Sequence, residues 1–190
     1  FLFRRGKSGG NLISSGIQAA IGGIQSMASG ALDTYREYQK SMANTAGIAG
    51  ITDKSSADFQ KLSKAAENAG NSTAFTSAQA ADALGYMSLA GWDANKSTKA
   101  LMPTLKLAEA TGADLATTAD LVTNSMNAMG VSFDNMDDLN GYFDVLIKAN
   151  NKSATTAGEL MEAFTGAGGA AKAAGQDYKT TATALGILAN

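Results

Sequence analysis

Residues 81–131 read ADALGYMSLAGWDANKSTKALMPTLKLAEATGADLATTADLVTNSMNAMGV, and the spacing of apolar and capping residues in this stretch decides the fold class. Just before it, Thr76 is followed three residues on by Gln79, a capping box in which each side chain satisfies an orphan backbone donor. Ala80, Leu84, Met87 and Leu89 then make one apolar face, and Gly91 stands where the helix should end, which predicts a helix over 77–90. A second helical run spans about Asn95 to Thr111 with Leu101, Leu105 and Ala108 inward; Pro103 inside it predicts a kink or a fresh start, because proline removes one hydrogen bond and clashes with the preceding turn. Asp114 caps a third, whose Leu115, Ala119, Val122, Met126 and Met129 fall at helical steps until Gly130.

The same punctuation extends outward in both directions. Ser55 with Asp58 reads as a second capping box, opening a helix near 56–69 with Phe59, Leu62 and Ala66 on one face and Gly70 at its end. Asp134 with Asp137 opens another, with Leu139, Phe143, Leu146 and Ile147 apolar and Asn150 and Asn151 closing it. A helix over 154–165 with Leu160, Ala163 and Phe164 inward follows, then a glycine-alanine stretch at 166–175, then a helix begun at Asp177. On the N-terminal side Ile13, Ile17, Ile21, Ile24, Ala28, Ala31, Leu32, Tyr35, Tyr38 and Met42 recur at three- and four-residue steps, a long helix softened by glycines.

Strand signals are missing: Ala occurs 37 times but Val only three, and no run alternates apolar and polar residues over a strand's length. No heptad seam persists for three repeats, so the chain is not one coiled rod. The expected fold is all-α, an array of short antiparallel helices preceded by a long glycine-containing N-terminal helix. Its expected organisation is a helical arm at 1–45 and a helical module at 46–190. The opening Phe-Leu-Phe-Arg-Arg and the stop at Asn190 within an apolar-periodic segment read as a piece of a longer chain.

Charge and composition remove whole classes of function. The net charge of −2 gives no electrostatic reason to bind nucleic acid, and sequence-specific binding is not expected. With no His and no Cys there is no Ser-His-Asp triad, no thiolate nucleophile, no zinc or iron-sulfur site and no disulfide, leaving carboxylate, Lys, Tyr or Ser/Thr chemistry. Residues Ser8 to Leu32 carry no charge and follow Arg4, Arg5 and Lys7, but Asn11, Ser14, Ser15, Gln18, Gln25, Ser26 and Ser29 are too many polar groups for a standard lipid span. Gly16, Gly22, Gly23 and Gly30 would suit close helix packing, and membrane contact through 8–32 is an expectation to test.

Several motifs imitate chemistry. GAGGAAKAAG at 166–175 fits the spacing of a dinucleotide fingerprint through Gly166, Gly168 and Ala171, and of a phosphate loop through Lys172. A helix rather than a strand precedes it, and Ala171 and Ala173 stand where a phosphate loop needs Gly and Ser or Thr, so a close helix crossing is expected instead. Glu159 and Glu162 lie one turn apart, a weak cation or proton-sharing pair that reads as a solvated face. Glu67, Glu109 and Glu159 are the candidates for a lone catalytic acid of a cell-wall hydrolase, and nothing singles one out. Trp92 is either a partner anchor or, the favoured reading, a clasp across a helix corner. The eight Met residues, Met87, Met126, Met129, Met136 and Met161 among them, fit core filling better than an adaptable binding surface.

The stretch 81–131 resembles the core region of phage tail tape measure proteins of the TP901 type. The resemblance rests on Leu89, Ala90 and Gly91 at a helix end, Pro103, then Leu105, Leu107 and Ala108, then the acidic cap Asp114 and an Ala-rich helix. It continues through Lys148-Ala149-Asn150 and Ala-Gly-Gln-Asp-Tyr-Lys at 174–179 to a second Ala-x-Ala-Leu-Gly, Ala182 to Gly186, which echoes Ala81 to Gly85. TYREYQKSMANT at 34–45 is similar to the family's lead-in, and Trp92 has no counterpart role.

The resemblance implies a structural, non-enzymatic component of a bacteriophage or prophage tail, in the tail lumen of the virion and in the host cytoplasm during assembly. It implies roles in tail-length determination, tail assembly and genome ejection, with tail-tube protein, tail-tip or baseplate proteins, assembly chaperones and further copies of itself as partners. It implies no cofactor, metal or catalytic residue. A ruler needs length, about 1.5 Å per residue of continuous helix; a glycine-punctuated segment cannot be that rod, so a folded module is expected, with the ruler elsewhere. A membrane-active helical protein and a cell-wall hydrolase-associated domain are the competing readings.

Overall fold

A computed structural model describes residues 30–152 and 155–188, all in helices and their connections, with no strand among them. The chain divides into two compact units, Phe1–Glu37 and Tyr38–Asn190. In the first, residues 30–37 are helical and exposed, with Arg36 and Asp33 paired at 3.3 Å on the surface. Leu32 and Tyr35, expected on the apolar stripe, are exposed, and the stripe at Ile13 to Ala28 lies outside the described residues.

The second unit holds the core. Helix α1 (30–48) buries Tyr38, Met42 and Ala46 in it and is followed by α2 (Ala57–Ser72), α3 (Ser77–Leu89), α4 (Ala94–Thr111), α5 (Leu115–Met129), α6 (Met136–Lys152), α7 (Ala157–Ala173) and α8 (Tyr178–Leu188). From α2 onward, substantial packing is between a helix and its next or next-but-one neighbour in sequence: α2 on α3 and α4, α3 on α4 and α5, α4 on α5 and α6, α5 on α7, α6 on α7 and α8, and α7 on α8. That connectivity builds two rows, α2-α4-α6-α8 and α3-α5-α7, the arrangement of an α-solenoid in which each hairpin seals the apolar face of the one before it.

The caps do most of the local work. Thr76 and Gln79 form the expected capping box, Asp93 accepts from the Lys96 N–H, Asp114 from the Thr117 N–H, and Gly112 and Gly130 end α4 and α5 in left-handed conformation. Four expected boundaries move. Ser56, not Ser55, caps α2 by accepting from the Phe59 N–H, because Ser55 is already held by Asp53 Oδ1 through both its N–H and its hydroxyl at 2.7 Å. Asn135, not Asp134, caps α6, its Oδ1 accepting from the Asp137 N–H at 2.9 Å while the Asp134 N–H donates to Ser132. Helix α6 runs on through Asn150 and Asn151 to Lys152, and Asn150 Oδ1 accepts from the Ala157 N–H at the start of α7. Gly70 does not end α2, which continues to Ser72; a Cβ there would stand 2.6 Å from the Ser77 backbone nitrogen, so glycine permits the close turn.

Neither a fresh start at Pro103 nor a gap in the glycine-alanine stretch occurs. Helix α4 runs uninterrupted through Pro103 with Leu101, Thr104, Leu105, Leu107 and Ala108 all buried. Interior proline costs roughly 3 kcal/mol, and three fully buried leucines contribute about 1.5–3 kcal/mol each, so packing outweighs it. The glycine-alanine stretch is likewise helix: α7 starts at a complete Thr156–Glu159 capping box and continues through Gly166, Gly168 and Gly169 to Ala173.

Candidate functional site

The four acidic candidates are spread over α2, α4 and α7, and three of them accept structural hydrogen bonds. Glu67 accepts from the Tyr38 hydroxyl at 2.9 Å, and exposed Glu109 accepts from the Ala74 N–H at 2.6 Å, tying α4 to the α2–α3 turn. Glu159 closes the α7 capping box; hydrogen bonds from the backbone N–H and then the hydroxyl of Thr156 hold its carboxyl below the ordinary carboxylate range. Glu162, one turn on, is exposed. Among the described residues no group of three or more acidic side chains could hold a metal ion.

GAGGAAKAAG has no phosphate-binding geometry, because Gly166 lies nine residues inside α7 rather than at a helix N-terminus. Its function is packing. A Cβ on Gly168 would stand 2.9 Å from Met129 Sδ and 3.0 Å from Ala128, so α5 and α7 cross at a distance only glycine allows. Lys172 lies against Gly130 at the end of α5, placing a cation near the negative pole of that helix.

Trp92 is a clasp. Its ring is buried, meets Phe133 edge-on at 4.7 Å, and donates from Nε1 to Asn127 Oδ1 at 2.8 Å, joining the α3–α4 turn to the end of α5. Met42, Met87, Met126, Met129 and Met161 fill the core, and Met136 is exposed. Between α5, α6, α7 and α8, Tyr142 is sealed among Phe143, Phe164 and Tyr178, with its hydroxyl 2.5 Å from Ser125 Oγ.

Asn44, Thr45 and Ile48 of α1, Asp82, Gly85, Tyr86 and Leu89 of α3 and Ala116 of α5 line an open hollow of about 330 Å³. Leu89, expected inward, is 66% exposed there. Its register announces this: Ala80, Leu84 and Met87 advance by four and three, and Leu89 falls only two further on, off their face. Thr45 fixes the α1 wall by donating to the Ala81 carbonyl at 2.7 Å.

The described residues form an all-helical stacked array. Residues 63–190 match the family described as phage-related minor tail protein, and the chain belongs to that family, with a structural role in a phage tail. The tape measure protein of Pneumococcus phage Dp-1 is 24% identical over 167 residues, covering 88% of this chain and 14% of that protein. This chain therefore spans about one seventh of the length of the relative it matches. No solved structure matches it.

Proposed function

We propose that this chain is a folded, non-enzymatic module of a tape measure protein whose parent takes part in tail-length determination, tail assembly and genome ejection. The observation that carries the reading is the alignment of nearly the whole chain, 88% of it, with a tape measure protein. Sequential stacking of short helices supports a folded module rather than a rod, and the structural hydrogen bonds of Glu67, Glu109 and Glu159 support the absence of catalysis. Tail-tube protein, tail-tip or baseplate proteins, assembly chaperones and further copies of the chain are its partners, with residues 46–190 as the module and 1–45 as an arm. Host-membrane contact through 8–32 falls almost wholly outside the described residues; among those described, no helix is long and apolar enough to cross a membrane.

In-frame deletion of residues 46–190 from the phage tests this, with tail length read by electron microscopy beside infectious titre. The expected outcome is failed assembly or lost infectivity without proportional shortening. Tails shortened by about 220 Å, the span of that many residues at 1.5 Å each, would make the segment part of the ruler. Unchanged tails with unchanged titre would overturn the reading.

A further inference from the structure

The outer surfaces of the two helix rows differ in charge. Because each row packs on the other, α3, α5 and α7 turn their exposed residues to one side of the array, and α2, α4 and α6 turn theirs to the opposite side. Helices α3 and α5 contain no Lys or Arg, and each carries a single acid, Asp82 and Asp120. Helix α7 adds Glu162 beyond its capping Glu159, and its one base, Lys172, lies back against Gly130. Asp82, Asp120 and Glu162 each stand six residues past the cap of their helix, Thr76, Asp114 and Thr156. All three are exposed, and none pairs with a described base. Axes of packed helices lie about 8–10 Å apart, so the three carboxylates form an evenly spaced row across α3, α5 and α7.

The other surface answers that row in sign and spacing. Helices α2 and α4 bring Lys61, Lys64, Lys96, Lys99 and Lys106, all exposed, against Asp58, Glu67 and Glu109. Glu67 and Glu109 are engaged by the Tyr38 hydroxyl and the Ala74 N–H. None of the five lysines pairs with a described carboxylate. Lys61 donates to Asn95 Oδ1 and Lys99 to the Phe133 carbonyl at 2.8 Å, neutral acceptors that leave each charge uncompensated. Lys61 and Lys99 stand five and six residues past their caps, Ser56 and Asp93, on two helices packed side by side, so they repeat the one-helix spacing of Asp82 and Asp120. Over the first half of α6 the sign reverses with exposed Asp137 and Asp144, which confines the basic surface to α2 and α4.

We propose that two copies of this chain associate by docking the Lys61–Lys99 surface of α2 and α4 in one copy on the Asp82–Asp120 row of α3 and α5 in the other. Charge complementarity names the occupant, since the chain itself carries the opposite charges at the matching spacing. Either surface against itself sets like charges face to face, so the contact is head-to-tail, and it extends as a string of copies or closes as a ring. The proposal deepens the reading that further copies of the chain are its partners, and rests on it.

The test is mass in solution by analytical ultracentrifugation for the wild type, for Lys61→Glu/Lys99→Glu and for Asp82→Lys/Asp120→Lys, at about 50 mM and about 500 mM salt. Circular dichroism on the same samples checks that each variant keeps its helices. Expected are association of the wild type at low salt, at least about tenfold weaker at high salt, and loss of association in each variant alone. Mixing the two variants, one acidic on both surfaces and the other basic on both, is expected to restore it. A monomeric wild type at low salt, association that salt and both variants leave unchanged, or a mixture that stays monomeric would each overturn the proposal. So would duplex DNA bound by a monomeric wild type and lost in Lys61→Glu/Lys99→Glu, since nucleic acid would then be the occupant of the basic surface. A monomer in these measurements leaves the outcome of the phage deletion unaltered, so the two readings fail separately.

Discussion

Helices α3 and α8 carry the same Ala-x-Ala-Leu-Gly stretch behind the same kind of cap, yet α3, packed on α1, α2, α4 and α5, buries Ala83 and Leu84, while α8, packed on α6 and α7, leaves the matching Ala184 exposed and Leu185 half-buried. Local sequence makes both segments helical and sets which residues share a face. Burial, and with it most of the free energy each residue contributes, comes from the neighbours that stacking provides.

Truncation of the shared leucine breaks this comparison most sharply. Leu84→Ala removes a fully buried side chain and is expected to cost about 2–5 kcal/mol, whereas Leu185→Ala at the half-buried equivalent costs less than about 1.5 kcal/mol. Urea denaturation of the two variants measures the difference, and equal losses would mean that α8 is as well packed as α3.

The shared glycine differs in sign. A Cβ on Gly85 would press to 3.1 Å on Thr45 Oγ1, which cannot yield without loosening its hydrogen bond to Ala81, so Gly85→Ala is expected to destabilise by about 1 kcal/mol. Nothing lies within 4 Å of a Cβ at Gly186, and Gly186→Ala should stabilise by about 0.5–1 kcal/mol through helix propensity and the unfolded chain. Thermal melts that move in the same direction for both would refute the argument.

The smallest expected effect sharpens the same contrast by pH. Hydrogen bonds from the Thr180 backbone and then its side chain hold the Asp177 carboxyl below the ordinary carboxylate range, so its capping contribution is complete above about pH 4 and is lost as pH falls further. Burial first, and Asp138 beside it, push the Tyr178 phenol above its ordinary value, so that contribution is complete below about pH 10 and is lost as pH climbs beyond. The α3 counterparts, Thr76 and Ser77, do not titrate in either range. Amide exchange followed by nuclear magnetic resonance should show α8 fraying at both pH extremes before α3.

Much of the fold was legible because it is local. Thr76, Asp114 and Asp177 all cap helices as read, and each needs only a side-chain oxygen within three residues of the amide it serves, whereas the Thr156–Glu159 box that opens α7 lay inside the helix expected from 154. Reading failed where a competing partner decided: Asp53 claims Ser55, so the α2 cap moves to Ser56, and Asn135 takes the amides expected for Asp134. It also failed where distant packing overrode local preference, at Gly166 to Gly169 in α7, and α4 makes no fresh start at Pro103. The hollow at Ile48, Tyr86 and Leu89 was only half legible, since Leu89 sits off its helix's stripe but Ile48 joins it from a helix more than thirty residues away.

By itself the sequence determined that the chain is helical, where most helices start, and that no His- or Cys-based chemistry is available, because capping, periodicity and composition act within a few residues. Only the tertiary structure decided that helices stack on next-but-one neighbours, that Gly168 serves a crossing rather than a phosphate, and that Leu84 is sealed while Leu185 at the matching position is half-buried. Those outcomes depend on which surfaces meet, and contact between residues far apart in the chain is set by the packing of whole helices rather than by any short stretch of sequence.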